Sequence, residues 1–569
     1  MSDIVAQLQT ATQQLTGPGA PFELVERTID GIPYRLYAKA PATLREAMDM
    51  GRQYGEREFL IYESEHWSFD RFYDQADRIT AQLARRYAIK KGDRVAIAMR
   101  NFPEWMTAYA GIVSLGAVVV PLNSWGRREE LQHGLSDSGA RLVFCDQQRL
   151  DHIAEDLQTL GVKAVLVRRE NDHPLPGGAI TLEDFLAGST PDSKAGFEVG
   201  AEDPAMIMYT SGTTGKAKGA LSSNRSIVQA LVNFEFHAAC AGMVNSDVVS
   251  AMMSAGHAPT SLLAVPLFHV SGCHAQFLLS LRGGRRIVMM YRWDPGRALE
   301  LIEQYHITAI NGAPKMVLDL LEHPDFDKRD TSSLFSIGGG GAASPPKYAT
   351  LVKQKLKTPY PGAGYGMTES NASCANSTGK VFTYKPAASG TISPIIDVKT
   401  CDENGVELPR GETGEIWLRG PTVVIGYWNQ PQATEETFVD GWLRTGDIGY
   451  VDDENYIFVV DRAKDIIIRG GENIAAAEIE GCLHNHPAVY DAAAFGVPHD
   501  SLGEELAVAV TLKPDTDATE EDIRSFVREH LAGFKVPSYV WLRREDFPRN
   551  PTGKPLKKVL REQYLALQQ

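Results

Sequence analysis

The sequence predicts an α/β protein with more than one folding unit. Three observations lead there. Short apolar, strand-like runs alternate with helical stretches through the first half, the pattern of parallel sheets covered on both faces. A segment rich in glycine, proline and β-branched residues begins after about Thr378. After about Asp461 the α/β pattern returns, over a stretch long enough to bury a small core of its own. At 569 residues the chain also exceeds the ~100–200 residues of a typical domain.

The elements follow in chain order. The start, MSDIVAQLQTATQQLTGPGA, has an acid at Asp3 and neither a basic nor an apolar leader region, so no secretory signal is expected. Val95–Met99 reads as a strand. The stretch between Glu104 and Arg127 carries no charge and is long enough for a membrane span of ~20 residues. Polar residues and Gly116 divide it, so it reads as a helix to about Leu115 and then a buried strand, Ala117–Val120. No integral membrane segment is expected. A polar helical stretch follows, then strands at Leu142–Cys145 and Ala164–Val167 on either side of a helix over Leu150–Leu160. Asn404-Gly405 predicts a hairpin turn between two strand-like runs. TEEDIRSFVREHLAG predicts a helix with Thr519 as N-cap, three acids in its first turn, and Ile523, Phe526, Val527 and Leu531 on its apolar face.

Composition excludes several classes. The chain is 43% hydrophobic and 23% charged, which rules out collagen, a coiled-coil rod and a largely disordered protein. Its net charge of −15 argues against general nucleic-acid binding. An anionic ligand remains compatible, because a local pocket can reverse the field. The six cysteines form no CxxC pair, so neither a zinc cluster nor a disulfide scaffold is expected; they fit buried apolar positions in a reducing, cytoplasmic compartment.

Three glycine-rich motifs carry chemistry. In YTSGTTGKAKG, Tyr209–Gly219, a strand-like run leads into three glycines, four Ser/Thr hydroxyls and two lysines. Glycine lets a backbone approach an anion closely, and amides, hydroxyls and Lys218 can donate to phosphate oxygens. It is not a Walker A loop, since Ala217 follows Lys216 where that motif needs Ser or Thr. SIGGGGAAS, Ser336–Ser344, fits G-x-G-x-x-A from Gly338, so a nicotinamide or flavin enzyme must be considered. No acid stands between Asp330 and Glu369 to hold the ribose, which weighs against it. In GYGMTE, Gly364–Glu369, Tyr365 offers a stacking ring, Thr368 a phosphate donor and Glu369 a carboxylate for Mg²⁺ beside phosphate.

Together with WLRTGD (Trp442–Asp447), DRAKDIIIRGGENI (Asp461–Ile474) and NPTGKPLKK (Asn550–Lys558), these motifs stand in the order and spacing of the class I adenylate-forming superfamily, which the chain resembles over roughly residues 40–565. That group includes acyl- and aryl-CoA synthetases. The resemblance implies a large N-terminal domain of two Rossmann-like α/β subdomains plus a β-rich subdomain, and a small mobile α+β C-terminal domain. The boundaries expected are an N-terminal extension at 1–40, the adenylation domain at 41–461, a hinge at 462–465 and the C-terminal domain at 466–569.

The resemblance also implies roles. Thr210, Ser211, Gly212, Thr213, Thr214, Gly215 and Lys218 would close over the phosphates of ATP. Gly340, Gly341, Ala342, Tyr365 and Gly366 would hold adenine, with Asp447 on the ribose hydroxyls and Arg462 beside it. Thr368 would contact phosphate and Glu369 would bind Mg²⁺. Lys554 would be the mobile catalytic lysine, Lys464 the hinge, and Arg469, Gly470 and Gly471 the tunnel for coenzyme A. The family's prolines are replaced by Ala217 and Ala343, neither a proposed ligand group.

His269 follows Phe268 where amino-acid-activating members carry an aspartate, which argues against an α-amino acid and places His269 at the gate of an acyl pocket. Asn233–Cys240, His269–Gly272, Gly338–Gly341 and Ala363–Gly364 would line that pocket; they are largely small or apolar, with no evident cation for a second carboxylate. The expected substrates are ATP, coenzyme A and a medium- or long-chain or bulky alicyclic carboxylic acid. An adenylating enzyme that loads a carrier protein, one that activates an aryl acid, and a nucleotide-binding oxidoreductase stay open, as do a homo-oligomer and a peripheral membrane location.

Overall fold

The computed structural model describes residues 3–210, 217–340, 347–470, 472–499, 501–550 and 553–568. Two sheets with parallel cores stand at its centre. One has the parallel strands Pro204–Thr210, Val118–Pro121, Arg94–Ala98, Leu142–Asp146, Lys163–Val167 and Ala179–Thr181 in spatial order, with Lys218–Ser223 antiparallel beside the first. The other has Glu58–Tyr62, Arg286–Met289, Thr260–Leu263, Ala309–Gly312, Ser336–Gly340 and Tyr360–Tyr365, all parallel.

The uncharged stretch after Glu104 owes its composition to what lies between these sheets. Helix Pro103–Leu115 is buried on nearly every side, and its Trp105 and Tyr109 stack at 5.4 Å within one core shared by residues of both sheets. A helix covered all round needs apolar residues all round. Gly116 ends it at φ 89°, the left-handed cap glycine adopts freely. The helix over Leu150–Leu160 is instead two short ones, Gln147–Ile153 and Leu157–Leu160.

The β-rich region is not a separate sheet. Ala375–Thr378 pairs antiparallel with Tyr360–Tyr365, and the ladder continues through Gly390–Ile392, Tyr456–Arg462, Trp442–Val451, Gly414–Arg419 and Asp397–Cys401. The turn at Asn404-Gly405 forms, with Gly405 at φ 80°, but closes only an isolated bridge, Cys401 to Glu407. Pro409, which has no N–H to donate, follows directly, and the strand that pairs with Asp397–Cys401 is Gly414–Arg419.

The last part folds around Ile466–Arg469, Glu472–Ala475, Val489–His499, Gly503–Leu512 and Tyr539–Arg543, with a core on each face of the sheet. Helix Glu520–His530 has the expected cap: Thr519 accepts from the Asp522 amide, and Asp522 answers to the Thr519 amide. All six cysteines are free, five of them buried. At the other terminus, helix Asp3–Thr16 packs on the long helix Asn224–Val244. That long helix is, among the described residues, the one long and apolar enough to cross a membrane, yet 61% of its apolar window is buried inside the protein.

Candidate active site

Both parallel sheets aim the C-terminal ends of their strands at one cleft of about 2920 Å³, the place where open α/β sheets bind ligands. Thr210, Gly340 and Tyr365 stand at those strand ends and line it. Ser211–Gly215, Lys216, Gly341 and Ala342 lie outside the described residues, so the glycine-rich loop of Tyr209–Gly219 is represented by its two shoulders. There the Thr210 hydroxyl donates to the Lys218 carbonyl at 3.4 Å, and the Lys218 ammonium lies 5.0 Å from the centre of the Tyr427 ring.

The GYGMTE turn is built by steric necessity. A Cβ on Gly366 would stand 2.3 Å from the carbonyl carbon of Ala372, so only glycine lets the chain fold back there. Thr368 opens the short turn Thr368–Ser370 and faces the cleft. Glu369 is buried, and one of its oxygens accepts from the Tyr427 hydroxyl at 2.8 Å. Burial raises its pKa, opposed by the Tyr427 hydrogen bond and by Arg462. Behind the turn, buried Asn371 donates to the Thr422 carbonyl and accepts from Ser222 and His274, tying the turn to strand Lys218–Ser223.

Asp447 and Arg462 face each other across the antiparallel pair Trp442–Val451 and Tyr456–Arg462. One Asp447 oxygen takes the Arg462 guanidinium at 2.9 Å and the other accepts the Tyr365 hydroxyl at 2.7 Å. Each oxygen keeps a free lone pair, so the carboxylate can still accept from a diol.

Lys554 enters from the C-terminal part on a tight turn. Gly553 sits at φ 84°, and Asn550 grips the Lys554 amide with its side chain and the Lys554 carbonyl with its own amide, each at 2.9 Å. The ammonium lies deep in the cleft. Burial first, then Arg462 and Lys464, lower its pKa to about 8, against the pull of Asp447 and Asp465. His269 is close enough to feel that charge: burial and Lys554 lower its pKa to about 4, so the ring is neutral, and its Nε2 has no partner among the described residues.

Lys464 lies on the single turn Ala463–Asp465, between the last strand of the large part and the first strand of the small one. The neighbouring Asp461 accepts the Ala477 amide at 3.0 Å, crossing from one part to the other. Arg469 does not reach the cleft in this orientation. It pairs with Glu505 at 2.5 Å within its own sheet, and Gly470 follows at φ 59°; Gly471 lies outside the described residues.

The acyl side needs a correction. Phe234, His237, Ala238, His269, Ser271 and Ala363 do line the cleft. Asn233 and Cys240 do not: Asn233 is buried and bonded to Tyr37 and Ser373, and Cys240 turns to Thr12 and Leu8 of the N-terminal helix. One helix cannot present all eight consecutive residues to one side, and 3.6 residues per turn sends these two backwards. Tyr427 and Asn371 are site-building residues that no motif marked, and each acts through a partner remote in sequence; Asn550 opens NPTGKPLKK, but its grip on Lys554 is visible only in the fold.

Strand-end loops, a buried carboxylate, an aspartate–arginine–tyrosine cluster and a lysine delivered from a second folding unit together fit an adenylate-forming ligase. The AMP-binding enzyme model matches residues 48–428 and the AMP-binding enzyme C-terminal domain model matches residues 478–554; the chain belongs to this family. It is 34% identical to a feruloyl-CoA synthase of Amycolatopsis over 86% of this chain and 94% of that one. It is 31% identical to a long-chain-fatty-acid–CoA ligase of Escherichia coli, over 92% and 95%. Among solved structures, ATP-bound MatB of Rhodopseudomonas palustris superposes with a TM-score of 0.78 at 27% identity, over 92% of this chain and all of that one. The protein is an enzyme, an AMP-forming acid–thiol ligase.

Proposed function

We propose that the protein joins a carboxylic acid to coenzyme A in two steps at one site. A carboxylate oxygen attacks the α-phosphorus of ATP, forming the acyl–phosphate bond and releasing pyrophosphate. The coenzyme A thiolate then attacks the acyl carbon, forming the thioester and releasing AMP. The observation that carries this reading is Lys554 lining the same cleft as the bonded Asp447–Arg462–Tyr365 cluster, with His269 within reach of its charge.

Two anions must meet in the first step. Lys554 offers a fixed positive charge between them, and because the turn at Asn550 holds it in place, little reorganisation is required in the transition state. Asp447 and Tyr365 would seat ribose and adenine, while Thr210, Thr368 and Lys218 would face phosphate. Glu369 fits a Mg²⁺ site: one of its oxygens is taken by Tyr427 and the other is available, and Mg²⁺ needs only one or two carboxylates when phosphates complete its shell. The ion would neutralise phosphate charge.

For the second step the small part would turn about Lys464, carrying Lys554 away and bringing Arg469, Gly470 and Gly471 to the cleft. The present orientation suits adenylation. A hinge at 462–465 between a large domain of 41–461 and a small one of 466–569 is part of this proposal, as is a cytoplasmic setting that keeps six cysteines reduced.

A panel of carboxylic acids of graded length and bulk, assayed for both AMP and acyl-CoA, tests the reading. AMP and acyl-CoA in equal amounts are expected with medium or long aliphatic or bulky alicyclic acids. Activity confined to acetate would remove the large pocket from the argument, and AMP without acyl-CoA would move the acceptor to a carrier protein.

A further inference from the structure

The acyl arm of the cleft runs along helix Asn224–Val244. Phe234, His237, Ala238, Ala241 and Gly242 line it, at spacings of three and four residues that place them on one helix face. Most of this wall is small or apolar, yet it contains polar atoms that the protein leaves without partners. The Nε2 of His237 is buried and unpartnered among the described residues, as is the Oε1 of Gln276.

Gln276 is 3% exposed and belongs to the short π-helix Cys273–Leu278, which packs on the same long helix. Its Nε2 donates to the Asn311 carbonyl at 3.1 Å, and that bond leaves the amide oxygen as the free end. Tyr360 lines the same cleft, from the first residue of strand Tyr360–Tyr365. Its hydroxyl forms no hydrogen bond among the described residues. Tyr360 and Tyr365 begin and end one strand, so their backbones are separated by ~16 Å along it. Tyr365 marks the nucleotide end and Tyr360 the remote end.

His237 carries no charge near neutrality, since burial lowers its pKa to about 4. It therefore offers one N–H donor and one acceptor. A buried polar atom without a partner costs stability, and a purely hydrocarbon substrate would leave these groups unpaired once it had displaced water.

We propose that the acid carries a hydroxyl or carbonyl oxygen remote from its carboxylate, that His237 and Tyr360 select for it as donors, and that Gln276, whose free amide oxygen only accepts, adds a preference for the hydroxyl. This rests on the acid-activating reading above and narrows its substrate class. A site built to hydrogen-bond an oxygen rejects the analogue lacking it far more strongly than an apolar slot distinguishes one methylene.

Matched acids test it on the full chain with ATP and coenzyme A. Dodecanoate would be compared with its hydroxy derivatives along the chain, and a decalin-propanoate with its ring-hydroxy and ring-oxo forms. For at least one pair, kcat/KM should favour the oxygenated acid by tenfold or more. His237→Leu and Tyr360→Phe should each reduce that ratio about fivefold to tenfold with the KM for ATP unchanged, while His237→Gln should keep most of it. Wild-type ratios within twofold for every pair would overturn the proposal. So would variants that slow both members of a pair equally, because that is the signature of a packing role. If no acid yields AMP, the acid-activating reading falls first and this one falls with it.

Discussion

The two ends of the cleft treat their polar groups in opposite ways. At the proposed nucleotide end the key side chains are already bonded to one another: Tyr365 and Arg462 to Asp447, and Tyr427 to Glu369. Lys554 is held there through its backbone by Asn550. At the proposed acyl end, His237 and Gln276 keep buried polar atoms with no partner among the described residues. An end that handles the same ATP at each turnover gains from groups fixed in advance. An end that must choose among acids gains from groups only the right acid satisfies.

Breaking the nucleotide end should have the largest effect. Lys554→Ala should cut adenylate formation by about 10²–10³ or more, the scale of losing a preorganised charge-stabilising group. Thioester formation from a supplied acyl-adenylate should survive largely intact, since the proposed second step uses the other orientation. Single-turnover assays of each half-reaction decide it; survival of both would remove Lys554 from the chemistry.

Asp447→Asn comes next. It would leave the Arg462 guanidinium without its carboxylate and weaken acceptance from a ribose diol. The KM for ATP should rise about tenfold to a hundredfold, from hydrogen bonds to a charged group worth ~1.5–3 kcal/mol. Discrimination between acids should barely move, and an equal change at both ends would erase the contrast between them.

The smallest expected effect is on the pH profile. Lys554 is charged below its pKa of about 8 and loses the proton above it. Adenylation measured as kcat/KM for ATP should therefore fall as pH rises through about 8, with Lys554→Arg shifting or abolishing that limb because a guanidinium stays charged. A flat profile between pH 7 and 9.5 would show that neighbouring charges hold the lysine protonated.

Much of this was legible in the sequence. YTSGTTGKAKG, GYGMTE and the three late motifs marked Thr210, Thr368, Glu369, Asp447, Arg462 and Lys554, all of which line the one cleft, because close backbone approach to an anion demands particular residue types at short spacing. Capping at Thr519 and the buried helix ending at Gly116 were equally readable, being local effects of hydrogen bonding and backbone conformation.

The acyl wall was read less well. A run of neighbours from Asn233 to Cys240 was expected to line it, and helix geometry turned Asn233 and Cys240 to the back. The hairpin at Asn404-Gly405 formed its turn without its strand, since register is decided by which segment fills the neighbouring edge.

The sequence by itself determined the family, the order of the chemical groups and the local turns, since each depends on residues a few positions apart. Only the tertiary structure decided that the Tyr427 hydroxyl holds Glu369, that Asn371 braces the turn from behind, and that burial, with Lys554 adding to it, keeps His269 neutral. The same holds for His237 and Gln276, whose partnerless atoms are visible only once every neighbour is in place. Hydrogen bonding and burial depend on distance in space, and these pairs lie far apart along the chain, where no spacing rule reaches.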